Sequence, residues 1–217
     1  MAGMDKSGKD LVQFNVQNAV YVLADDANAK VKPFTYMNTF TKNRSISEKK
    51  FYGDGEQQDS AFSDLSISGA LGVTARDMDF EKDIGLAETL AQGLVGEVAI
   101  TGVKRVHIGY ETYIKQKGKP TQVKRVWVYN VHVSPASESL TQTKEDITES
   151  NFDYNYTGAG TTVKNAEGTA DYVDENGMKK KVFTVSARPS DAGYKTFFEK
   201  VPVPTVAGAT ATTTTNE

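Results

Sequence analysis

Between Val123 and Val133 the chain reads Val-Lys-Arg-Val-Trp-Val-Tyr-Asn-Val-His-Val, and this stretch constrains the fold more than any other. Side chains of a strand alternate between two faces. Here Trp127, Tyr129, Val131 and Val133 fall on one face, and Val126 and Val128 share the other with Asn130 and His132. A strand that is apolar on both faces has to be covered on both. Its partner is the segment Val103 to Ile114, joined to it by Lys115-Gln-Lys-Gly-Lys-Pro120, a turn-rich basic tip. Val106, Ile108, Tyr110, Thr112 and Ile114 share one face of that arm. The pair reads as a hairpin at the centre of a layered β structure.

The rest of the chain is also strand-like. Ala19 to Ala24 is a short β-branched and aromatic run closing at Asp25-Asp-Ala-Asn28. Ile46 to Tyr52 and Leu65 to Thr74 read as strands on either side of a long exposed loop from Gly53 to Ser63. Leu65 to Thr74 alternates Leu65, Ile67, Leu71 and Val73 with Ser66, Ser68 and Thr74. Leu140 to Tyr156 has mixed polar strand character, broken at Gly158-Ala-Gly160, and Asn176-Gly177 marks a tight turn between Thr161–Val173 and Lys179–Ala187. Two helices are expected. One spans Asp77 to Ala91, weakened by Gly85 in its interior, and a short one lies within Ser190 to Lys200. The expected organisation is an N-terminal arm over residues 1–14, one β-sandwich domain over 15–203, and a disordered Thr-rich tail over 204–217. The fold class is mainly β, with a flanking α-helix and long loops.

Composition excludes several classes. The 217 residues contain no cysteine, which removes disulfide scaffolds, thiolate zinc sites and iron–sulfur clusters. With 25 Lys and Arg against 28 Asp and Glu, the net charge of -3 offers no general attraction to nucleic acid or anionic lipid. Met1 to Asp10 is polar where a secretory signal needs an apolar run, so the expectation is a chain made in the cytoplasm with no membrane span.

Motifs for chemistry are weak. His107 and His132 lie on adjacent arms and could share a metal, but no placed carboxylates complete a ligand set, and strand histidines on a polar face are the plainer reading. Gly158-Ala-Gly160-Thr-Thr162 lacks the Gly-Lys-Ser/Thr of a phosphate loop. Asp54, Glu56, Asp59 and Asp64 do not fit the spacing of a calcium loop. No nucleophile motif of the G-x-S-x-G kind is present. The expectation is therefore no enzyme, no catalytic residues, no cofactor and no metal. This many strands present more edge than one sandwich protects, which points to assembly with further copies of the chain.

Phe51-Tyr-Gly-Asp-Gly55, Leu65-Ser-Ile-Ser-Gly-Ala-Leu-Gly-Val-Thr74 and Asp79-Phe-Glu-Lys-Asp-Ile-Gly85 follow one another in an order that resembles major tail proteins of long-tailed bacteriophages. The resemblance continues through Ile108-Gly-Tyr-Glu-Thr-Tyr113, Lys124-Arg-Val-Trp-Val-Tyr129, Thr141-Gln-Thr-Lys-Glu-Asp-Ile147 and Gly193-Tyr-Lys-Thr-Phe-Phe198, covering roughly residues 15 to 202. It rests on this succession of loose patterns, no one of which is diagnostic.

The resemblance implies a tail tube subunit of the virion, made in the host bacterial cytoplasm. Six copies would form a ring, and rings would stack into a hollow tube through which DNA passes without specific binding. It also implies partners in the tape-measure protein, the tail terminator and the distal tail proteins. Strands near 45–52, 65–74, 139–148 and 149–157 become candidates for an inner barrel shared between subunits. Gly53, Asp54, Gly55, Glu56, Gln57 and Asp59 become candidates for the contact between rings. Glu48, Glu145, Asp146, Glu149 and Asp153 become candidates for an acidic lumen lining, with Lys49, Lys50 and Lys144 as departures from it. A carbohydrate-binding or adhesin-like β-sandwich is the alternative, motivated by Trp127 and ten tyrosines, against the plainer reading that Trp127 is core.

Overall fold

The structure is a computed structural model, and it describes residues 12–26, 28–53, 56–99, 102–139, 151–175 and 177–206. In chain order the elements are β1 (Val12–Leu23), β2 (Lys32–Pro33), β3 (Met37–Phe40), β4 (Asn43–Gly53), β5 (Glu56–Val73), α1 (Met78–Ile84), β6 (Ala87–Thr89) and β7 (Val95–Glu97). Then follow β8 (Val106–Lys115), β9 (Gln122–Ser139), β10 (Asn151–Gly158), β11 (Thr161–Thr162), β12 (Lys181–Val182) and β13 (Thr184–Ala187).

One antiparallel sheet dominates, in the order β2-β1-β8-β9-β10-β5-β3, with β13 added to β9 and β4 added to β5. Its two ends, β2 and β3, are joined only by Phe34, Thr35 and Tyr36. Four residue steps span at most about 14 Å, so the sheet must roll until its ends meet. Inside the roll lies the main core, with Tyr21, Phe34, Ile67, Leu71, Phe80, Val106, Ile108, Val131 and Tyr154 all buried. Among the described residues the protein is mainly β, the expected class, with a large antiparallel sheet and one α-helix where the sequence pattern predicts two helices.

The doubly apolar strand is covered twice, as expected. Val126, Val128, Val131 and Val133 face the main core, whereas Trp127 and Tyr129 face a second cluster outside the roll with Val22, Phe197, Phe198 and Val201. The facing differs from simple alternation, which groups Trp127 and Tyr129 with Val131 and Val133. Asn130 adopts a left-handed φ of 49°, and the β8–β9 register slips between Val106 and Ile108. This bulge reverses the facing of every later residue. Asn130 is held there by its Nδ2 donating to the Gly160 carbonyl at 2.5 Å, and its backbone N–H donates to His107 Nδ1 at 3.2 Å.

The helix ends at half its expected length. Asp77 caps it by accepting from Phe80 N–H at 3.1 Å, and also accepts from the backbone and hydroxyl of Thr35 at 3.0 and 2.8 Å. Gly85 terminates it at φ 87°, with Gly85 N–H donating to Lys82 and Leu86 N–H to Glu81, the paired bonds of a Schellman motif. Ala87, which the helical spacing includes, is buried on β6, and Ala91 lies in an exposed 3-10 turn (Ala91–Gly93). Gly85 is thus the stop rather than an interior weakness.

Other expectations are corrected as well. The helix expected within Ser190–Lys200 is a chain of turns, bonded from Asp191 to Arg188, Tyr194 to Asp191, Phe197 to Tyr194 and Glu199 to Thr196. Its carbonyls are claimed by β9 side chains. Arg125 donates to Tyr194 O at 2.7 Å, Trp127 Nε1 to Phe197 O at 2.7 Å, and Tyr129 OH to Pro202 O at 2.7 Å. Around Gly177 the flanking arms pair with each other only through the two-residue strands β11 and β12 and single bridges among the described residues, and the end of the second arm, β13, pairs with β9 instead, although Gly177 itself turns at φ 76°.

The long loop expected from Gly53 to Ser63 is β-ribbon instead. β4 and β5 pair from Asn43↔Ser68 to Gly53↔Glu56, with register shifts between Ser45 and Ile46 and between Phe51 and Tyr52. Polar residues are no obstacle, because the ladder satisfies their backbone without burying side chains. At the chain ends, Val12 and Phe14 belong to β1 and pair with Lys115 and Tyr113. Pro204 and Val206 are tied to Lys164 through backbone bonds of 2.7 and 2.9 Å. Residues 1–11 and 207–217 lie outside the described residues.

Candidate assembly surface

Residues 131–139 of β9, then β10, β5 and β4, are consecutive neighbours in the sheet. β10 sets their two faces. Phe152, Tyr154 and Tyr156 are buried in the core, and Asp153, Asn155 and Thr157 are exposed on the other side. Opposite those exposed residues stand Ser137 and Gly72, then Ala70, then His132 and Ser68. The outer face is therefore short, polar and nearly uncharged. Gly72 is required there: a Cβ would lie 2.1 Å from Thr39 Oγ1 and 3.2 Å from Asp153 Oδ1, so the two polar side chains occupy the space it leaves.

The outer halves of β4 and β5 leave this surface as a two-stranded ribbon. β10 pairs with β5 only at Ile67–Val73, so residues 56–66 of β5 bond to β4 alone among the described residues. Ile46, Phe51 and Tyr52 are exposed on it, at 60%, 44% and 69%. Both margins of the ribbon thus lack a strand partner among the described residues, and three large apolar side chains stand exposed on it among charged and polar ones.

The sequence-derived candidates fall unevenly on this surface. Asp153 is exposed on the polar face of β10, and Glu48 is exposed on β4 opposite Phe62. Phe62 and Gly72, their respective partners on β5, are separated by about 33 Å of strand, so the two acids do not form one cluster. Glu145, Asp146 and Glu149 lie outside the described residues. Gly53, Glu56, Gln57 and Asp59 belong to the ribbon strands near its tip, and Asp54 and Gly55 lie outside the described residues. Of the inner-barrel candidates, 45–52, 65–74 and 149–157 correspond to β4, β5 and β10. The segment 139–148 lies outside the described residues except for Ser139, and the strand actually beside β10 is the end of β9.

Trp127 is fully buried, and its Nε1 is spent on Phe197, so it cannot stack on a sugar. Among the described residues no three His, Asp or Glu side chains are grouped to hold a metal. No helix of the described residues is long and apolar enough to cross a membrane. Sequence reasoning missed the apolar tip Leu90–Val95, although Thr89 to Gly96 is legible as an uncharged run.

A groove of about 370 Å³ lies on the outer face of the sheet, over Tyr129 and His107, between Val22–Val31 and Val201–Pro204. Burial lowers the His107 pKa to about 4, with Arg105 adding to the shift and Asp25 opposing it. Nδ1 accepts from Asn130 N–H, so the neutral ring carries its proton on Nε2. The unfolded imidazole titrates near 6.5 and binds its proton first. Stability contributed by the neutral ring is therefore intact above pH 6.5 and lost as pH falls towards 4, by about 3 kcal/mol. Urea midpoints measured across that window should fall, and His107→Gln should fall less steeply.

A search of protein-family models and of curated protein sequences finds no match to this chain.

Proposed function

We propose that this chain is a tail tube subunit of the long-tailed bacteriophage type, six copies closing a ring and rings stacking into a hollow tube that conducts DNA. The observation that carries this reading is the β4–β5 ribbon. An isolated two-stranded hairpin is at best marginally stable in water, and this one shows Ile46, Phe51 and Tyr52 to solvent. Strands or apolar surface from neighbouring copies would satisfy it.

The short polar face of β9, β10 and β5 supports the same reading. A surface of Ser, Thr, Asn and Gly stays wet and offers no cationic grip on phosphate. Six copies at -3 each give a ring of -18, which disfavours adhesion of DNA during passage. Asp153 would face the lumen, whereas Glu48 sits on the ribbon. The tape-measure protein, tail terminator and distal tail proteins follow as partners from the same reading. The carbohydrate-binding alternative loses Trp127 as a stacking platform, while Tyr36 and Tyr52 remain exposed.

Negative-stain electron microscopy of the purified chain tests the proposal. Six-membered rings or tubes are expected, together with concentration-dependent sedimentation. A species that stays monomeric at high concentration would sink it. Ile46→Asp combined with Tyr52→Asp should abolish tubes while leaving the thermal midpoint of the monomer unchanged, because both side chains are exposed and neither belongs to the core.

A further inference from the structure

We infer that the apolar tip of the β6–β7 hairpin docks into the groove beside Val201–Pro204 of a second copy of the chain. The tip shows Leu90, Leu94 and Val95 to solvent at 51%, 62% and 43%. It is already shaped. Leu90 N–H donates to Leu94 O at 2.6 Å, Gln92 and Gly93 turn the chain at φ 62° and 78°, and Leu90 folds over Gly96, where a Cβ would be only 2.8 Å from Leu90 Cδ1. A knob ordered before contact loses little conformational freedom on docking.

The groove has the complementary character. Its walls are Val22, Ala29 and Val31 on one side and Val201, Pro202 and Val203 on the other, and Val203 remains 61% exposed. Charge matches too. From Leu86 to Val103 the only ionisable residues are Glu88 and Glu97, both exposed, and Glu97 already pairs with Arg76; at the groove Lys164 already pairs with Asp171, which leaves Lys200 and Asp26 there. Glu88 on the hairpin and Lys200 at the groove are the opposite charges left to meet, which favours this orientation over pairing hairpin with hairpin.

A chain cannot fill its own groove. Tyr21 points to the helix side, where its ring meets Phe80 and its hydroxyl donates to Asp83, while the next residue, Val22, lines the groove. The hairpin is anchored on the Tyr21 side through Val98 N–H to Leu86 O and Lys104 N–H to Ile84 O. Knob and groove are thus different surfaces on opposite sides of the sheet. A contact between unlike surfaces propagates from copy to copy and closes into a ring when the rotation permits. The inference rests on the assembly reading only for the identity of the partner, and it adds the residues that meet.

The absence of cysteine makes the test direct. Leu94→Cys and Val203→Cys, both at exposed positions, are made separately, given tags of different size, mixed, and oxidised with copper phenanthroline and oxygen. The expected product is a disulfide-linked pair holding one of each, with little from either variant alone, because docked thiols react at a raised effective concentration. The double variant should give a ladder of higher multimers. Tubes in the microscope without the mixed product would overturn this contact and leave the tube reading standing. The mixed product without tubes would uphold the contact and count against the tube. Equal self-linkage of Leu94→Cys would mean a symmetric contact and would also overturn the inference.

Discussion

Glu81→Ala is expected to destabilise the fold by about 3–5 kcal/mol, the usual cost of removing one partner from a buried ion pair. Glu81 is fully buried and takes a forked pair of bonds from Arg76, at 2.8 Å from Nε and 2.6 Å from the second guanidinium nitrogen. Tyr154 OH donates to the same carboxylate at 2.5 Å, and burial first, then this bond, raises the phenol pKa. The alanine variant leaves a guanidinium and a phenol without their acceptor, although Arg76 keeps Glu97. Glu81→Gln should cost less, since its amide oxygen still accepts one bond. Urea unfolding followed by far-UV circular dichroism measures both. A loss below about 1 kcal/mol for Glu81→Ala, the level of an exposed pair, would contradict the arrangement.

Trp127→Ala should have a comparable effect, about 3–5 kcal/mol for a large aromatic removed from a core. Trp127 is fully buried, meets Phe198 edge-on at 5.5 Å between ring centroids, and donates its indole proton to Phe197 O. The void opens between β9 and the C-terminal turns, so the damage should concentrate there. Limited proteolysis should cut residues 188–203 faster in the variant than in the parent. Trp127→Phe, which keeps most of the ring contact and loses the hydrogen bond, should cost nearer 1 kcal/mol. Against a typical total of about 5–15 kcal/mol, either alanine variant removes a large share of the stability.

What the sequence revealed depended on whether a signal was periodic and local. The β8–β9 hairpin was legible because its alternation is long and its tip carries Lys-Gly-Lys-Pro. The reversal at Asn130 was not, because a bulge is one residue in an unusual conformation, fixed here by Gly160 some thirty positions away. Helical spacing in 77–91 was real only as far as Gly85, and Ala87 continued the pattern while lying on a strand. In 190–200 the spacing of Tyr194, Phe197 and Phe198 reflects packing on Trp127 and Arg125, and the carbonyls that a helix needs are taken by β9 side chains. Residues 56–63 are mostly polar and carry a local loop signal, although strand formation requires only backbone partners. For the candidate surface, the polar face of β10 was legible as alternation, whereas the placement of Glu48 far from Asp153 depends on the register of β5, which no local pattern encodes.

The junction of β2 and β3 bears on how the molecule first acquires its shape. β1 pairs with β8, Leu23 meeting Val106 and Val12 meeting Lys115, so the first strand of the roll waits for a partner synthesised much later. Such distant pairings make folding slow compared with helical proteins of similar size. During that interval the local β4–β5 hairpin can already have formed, with its margins open, before the body that carries it exists. If copies assemble as proposed, assembly would have to wait for the late strands, and the folding rate of each subunit would then limit growth.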